Sequence, residues 1–97
     1  MPNTKTEVEN VNHPGVIRTV DAGMYAAMRK ACLEIVPKGP RGLTLDAIRE
    51  RLPARLPQDL FPGGARVGWW AKTVQLDLEA KRLIARDRSR PIRLRKV

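Results

Sequence analysis

From Met1 to Gly15 the chain reads MPNTKTEVENVNHPG, with no apolar period and a Pro-Gly breaker at its end. A stretch this polar has little surface to bury and reads as a mobile tail. Val16-Ile17-Arg18-Thr19-Val20 is β-branched and suits a short strand or a packed arm. Asp21 is a good N-cap for a first helix, along which Met24, Met28, Cys32 and Ile35 form one face and Tyr25, Ala31 and Leu33 broaden it. Pro37, Gly39 and Pro40 stop that helix near Val36. Thr44 caps a second helix, with Leu43 placed to staple onto Ile48 and with Leu45, Ile48 and Leu52 on one side. Pro53 and Pro57 break the chain. Leu60-Phe61-Pro62-Gly63-Gly64 then makes a turn-rich connector from which Leu56, Leu60 and Phe61 tuck back onto the core.

A third helix is predicted from Arg66 to Arg82. At about 100° per residue, Val67, Trp70, Ala71, Val74 and Leu78 share a core stripe. Trp69, Leu76, Ala80 and Leu83 form a second stripe roughly opposite, which the arm, the connector or a second subunit would have to cover. Lys72, Gln75, Glu79 and Arg82 lie on one flank, and Thr73, Asp77 and Lys81 on the other. Asp77–Lys81 and Glu79–Arg82 have the spacing of surface ion pairs. The chain then closes as a hairpin. Leu83 to Arg86 runs out, and Ile92 to Val97 returns with Ile92 and Leu94 alternating against Arg93 and Arg95, the period of a half-buried strand.

The length of 97 residues holds one domain, expected over 16–97 behind the tail at 1–15. Charge changes the picture most. Arginine supplies 13 of the 19 basic residues, and the net charge is +9. Residues 1–62 carry 9 basic and 7 acidic groups, whereas residues 63–97 carry 10 and 3. An excess gathered in the last third is a footprint for polyanions, nucleic acid first. The chain has a single cysteine, Cys32, and a single histidine, His13, so neither a disulfide nor a zinc site is expected, and no cofactor or small-molecule ligand. Cys32 reads as a core thiol. With no nucleophile–base set or pocket-sharing carboxylates, catalysis is not expected; Asp46 and Glu50, among Arg49, Arg51 and Arg55, read as a solvated salt-bridge surface. Gly63-Gly64 lacks the Gly-Lys-Ser/Thr ending of a phosphate loop and reads as a turn. No apolar run is long enough for a membrane span or a leader, so the expected location is the cytoplasm.

Three helices followed by a two-stranded ribbon resemble the winged helix-turn-helix plan, an α+β but mainly α fold. The run Val74 to Arg86 (VQLDLEAKRLIAR) is similar to the end of a recognition helix entering a wing in bacterial winged-helix regulators. Arg82 departs from that pattern, standing where a helix-ending glycine is usual, so it must turn left-handed or the helix must end differently. The string FPGGA at 61–65, with GWW at 68–70 and KTVQLDLEAK at 72–81, resembles a small family of uncharacterised bacterial proteins and carries no activity with it. The winged-helix resemblance implies a regulator bound to double-stranded DNA. The wing arginines Arg86, Arg88, Arg90, Arg93 and Arg95 would meet phosphates, as their planar forks suit. Arg66, Lys72 and Gln75 on the third helix would be weaker contacts or readers. The alternative is a protein-interaction module, or a homodimer, built on Trp69 and Leu76. RNA is disfavoured because the strands carry no aromatic platform.

Overall fold

The computed structural model describes residues 5–39, 41–87 and 91–97. In chain order these form β1 (Lys5–Val8), β2 (Arg18–Asp21), α1 (Ala22–Ile35), β3 (Leu43–Thr44), α2 (Leu45–Arg51), α3 (Val67–Ala80), β4 (Ile84–Asp87) and β5 (Arg93–Lys96). Two single turns of 3-10 helix, Pro53–Arg55 and Pro62–Gly64, carry the chain from α2 to α3.

Local chemistry sets the helix boundaries. Asp21 caps α1 by accepting the Met24 N–H at 2.8 Å, and Thr44 caps α2 by accepting from Ala47 at 3.2 Å. The chain leaves α1 at an extended Val36, one residue before a proline. At the end of α3, Arg82 takes φ +63°, and the next residue, Leu83, donates its N–H back to the Leu78 carbonyl at 3.0 Å. This is a left-handed helix stop with an arginine where glycine would be unstrained. It turns the chain straight into β4.

The core lies between α1 and α3, with α2 and the connector closing one side. Met28, Leu52, Phe61, Val74 and Leu78 are fully buried, and Phe61 meets Trp70 edge-on at 6.4 Å. The connector residues Leu56 and Phe61 do pack inward. The strands form two antiparallel sheets, β1-β2 and β3-β5-β4. In the second, Leu94 stands between Leu43 and Arg86, and Arg93 between Thr44 and Asp87. Gly42 makes this sheet possible. Its φ is +65°, and a Cβ there would sit 2.5 Å from the Leu94 carbonyl oxygen.

The expected mainly α winged helix-turn-helix, with three helices and a two-stranded C-terminal wing, is corrected by this architecture. Over the described residues the chain is a small α+β domain with five strands in two sheets, an N-terminal hairpin and a C-terminal hairpin that β3 joins from mid-chain. Two local readings explain the difference. Thr44 does cap α2, but the backbones of Leu43 and Thr44 also pair with β5. Lys5 to Val8, within the expected tail, pairs with β2 over four residues. Only Val8 of that strand is buried, so backbone pairing holds it rather than an apolar alternation visible in the sequence.

Candidate nucleic-acid interface

The C-terminal arginines divide between the two faces of their sheet. Residues opposite each other in an antiparallel pair share a face. Arg86 therefore lies on the inner face with buried Leu94, while Arg93 and Arg95 lie on the outer one with Asp87 and Ala85. The inner face packs toward α3, and Arg86 forms a forked pair with Glu79 there, Nε at 2.9 Å and Nη2 at 3.1 Å from its two carboxylate oxygens. Gln75 donates to the same carboxylate at 3.0 Å. Arg86 and Gln75 thus face a carboxylate of their own chain, and Glu79 pairs with Arg86 rather than with Arg82, which the left-handed turn carries off the helix. Arg95 is exposed and Arg93 half-buried. Arg88 and Arg90 lie outside the described residues.

The N-terminal segment covers the second apolar stripe of α3 at Leu76 and leaves Trp69 and Leu83 exposed. Leu76 is buried, and Val11 donates its N–H to the Leu76 carbonyl at 3.4 Å. Next to it Asp77 has no exposed surface. It accepts the Glu9 N–H at 2.9 Å and the Tyr25 hydroxyl proton, and Lys81 Nζ lies 2.9 Å away. Lys81 also donates to Tyr25 Oη at 3.2 Å. The expected Asp77–Lys81 pair therefore forms, but Asp77 is sunk beneath the hairpin. Burial, then the bond to Asp77, raises the Tyr25 pKa above its ordinary value. For Lys81 burial acts downward, yet its bonds to Asp77 and Tyr25 outweigh it and raise the pKa. Beyond the Asp77–Lys81 spacing no sequence signal marked this cluster, because its members are as far apart as Glu9 and Asp77.

With its core stripe packed and Leu76 covered, α3 has Gly68, Trp69 and Lys72 as its exposed residues. It cannot lie deep in a major groove along its length. Trp69 is 40% exposed and meets Trp70 edge-on at 5.1 Å. Arg66, itself left-handed at φ +60°, sets its guanidinium 5.4 Å from the Trp69 ring centroid. Arg66, Trp69 and Lys72 thus form one exposed group at the start of α3, distinct from the outer face of the C-terminal sheet. Beside Lys72, the α3 residues Trp69, Thr73 and Leu76 form one side of an open cleft, with residues between Val8 and Arg18 on the other.

Cys32 is buried, and burial pushes its thiol up to about 12. No group of three or more potential metal ligands occurs among the described residues, and no helix among them is long and apolar enough to cross a membrane. Residues 5–94 match the model of a family of unknown function. No curated protein and no solved structure matches the chain.

Proposed function

The chain belongs to DUF6958, a family of unknown function, and we propose from its charge distribution that it binds double-stranded DNA through the phosphate backbone. The observation that carries this reading is how the last third uses its charges. It has 10 basic residues against 3 acidic ones, and two of those acids, Asp77 and Glu79, are held by Lys81 and Arg86 inside the fold. Arg93 and Arg95 remain on the outer face of the sheet, and the β4–β5 link adds Arg88 and Arg90 by sequence. Guarding a sheet edge against aggregation needs one or two charges; this concentration exceeds that. Arg66 and Lys72 extend the cationic surface as secondary contacts. Arg86 acts by fixing the sheet to α3, and Gln75 is engaged beside it.

About four arginines neutralising phosphates predict a log–log salt slope of roughly −3.5. Fluorescence anisotropy of a random-sequence duplex, titrated from about 50 to 300 mM salt, tests the proposal; micromolar binding with that slope supports it. Absence of binding at 50 mM contradicts it. The alternative, a partner or second copy seated on Trp69 and Leu76, has less surface to offer because Leu76 is covered by the chain itself. Binding of that kind would persist at high salt.

A further inference from the structure

The cleft beside the first half of α3 has a volume of about 310 Å³. Helix α3 contributes Trp69, Lys72 and Thr73, the segment linking β1 to β2 contributes Glu9 and His13, and β2 contributes Arg18. The cleft is preformed. Glu9 and Val11 are tied by their N–H groups to Asp77 and Leu76 of α3, so the two walls do not have to be brought together by a ligand.

Its walls have two complementary characters. Trp69 offers an aromatic surface, with Trp70 nearly perpendicular to it at 5.1 Å and Arg66, which is not part of the cleft, over its ring. Around it the charge is unbalanced. Arg18 and Lys72 have no ion-pair partner among the described residues, and Glu9 is the sole carboxylate in the lining. Thr73 adds a hydroxyl, and Val8 and Leu76 make an apolar base. Ligand sites combine these features: mostly apolar walls and a few convergent polar groups. The volume is at the low end of the roughly 300–1,000 Å³ such sites occupy, which limits the occupant to one or two rings.

We propose that this cleft binds a small aromatic anion, its ring against Trp69 and its carboxylate or phosphate group between Arg18 and Lys72. The inference does not rest on duplex binding, because the cleft shares only Lys72 and its Trp69 neighbour with the surface considered above, and none of the arginines of the β3-β5-β4 sheet.

The test is a heteronuclear NMR titration of the whole chain with 2-naphthoate and with phenyl phosphate. Neutral 2-naphthylmethanol and inorganic phosphate serve as probes lacking the charge and the ring. Saturable shifts of the Trp69 indole N–H and of the Lys72 and Thr73 amides are expected with both aromatic anions. Each control should bind at least about ten-fold more weakly. Arg18→Gln and Lys72→Gln should each weaken the anions about five-fold, as expected for one exposed charge contact. Both side chains are exposed, and unchanged thermal unfolding of the variants would separate lost binding from lost folding. No saturable shift from either aromatic anion overturns the proposal. So does inorganic phosphate binding as tightly as phenyl phosphate, or a double variant that binds as well as the parent.

Discussion

The β1–β2 hairpin and the β3-β5-β4 sheet are fastened to different flanks of α3 by carboxylates two residues apart, Asp77 and Glu79. On the hairpin side Asp77 gathers a backbone N–H, a phenol and an ammonium with no exposed surface. On the sheet side Glu79 takes one arginine in a forked pair and one amide, with 6% of its side chain exposed. The difference lies in where the cation comes from. The hairpin's joint takes Lys81 from the end of α3 and leaves the hairpin's own Lys5 and Arg18 outside it. The sheet uses Arg86 and still carries Arg93 and Arg95 on its far face. One basic residue type thus has two jobs within a four-residue strand pair, and strand register decides which arginine has which.

Asp77→Ala should break the comparison most severely. It leaves the Tyr25 hydroxyl and the Glu9 N–H without their acceptor and Lys81 without its counter-charge, and should cost about 3–4 kcal/mol in urea unfolding. A loss below about 1 kcal/mol would mean that the hairpin is not latched through Asp77. The same cluster has a pH signature. Tyr25 and Lys81 both have folded-state pKa values above their unfolded ones, so their contribution is complete below about pH 10 and is lost as pH rises through the folded values. Midpoints measured from about pH 8 to 11 should fall in the parent, and fall less in Asp77→Ala.

Arg86→Ala comes next, at about 2 kcal/mol, because Glu79 keeps only Gln75 in a nearly closed setting. Its stability loss should exceed that of Arg95→Ala, which is exposed and should stay within about 0.5 kcal/mol. Equal losses would erase the distinction between the two faces. The smallest effect has the opposite sign. Arg82→Gly relieves a left-handed arginine and should stabilise by about 0.5–1 kcal/mol, seen as a raised urea midpoint.

What the sequence discloses follows the range of the interaction involved. The three helices are legible because their periods, the Asp21 and Thr44 caps and the proline stops are local. The left-handed turn at Arg82 is legible too, as one of two ways a helix without a terminal glycine can end. Arg93 and Arg95 opposite a buried Leu94 follow from simple alternation. By contrast, β1 has no apolar alternation to advertise it, and β3 is hidden because its two residues read as a staple and a cap. The placement of Arg86 depends on pairing, because Arg86 meets Leu94 rather than Arg93 or Arg95, which turns it toward Glu79. Asp77 has an ordinary i, i+4 partner in Lys81, so its burial is invisible without the hairpin that comes from far earlier in the chain. The second α3 stripe at Trp69 and Leu76 does signal that a cover is needed; it does not say that residues near Val8 and Val11 supply it at Leu76 and leave Trp69 exposed.

The most direct measurement compares the duplex-DNA salt slope of the parent with those of Arg93→Ala/Arg95→Ala and Arg86→Ala, at temperatures where all three are folded. If the outer face docks on phosphates, the double variant should flatten the slope by about 1.5–2 units and Arg86→Ala should leave it within about 0.5 of the parent. An unchanged slope in the double variant, or an equal loss in Arg86→Ala, would contradict the assignment of the outer face of the sheet to DNA.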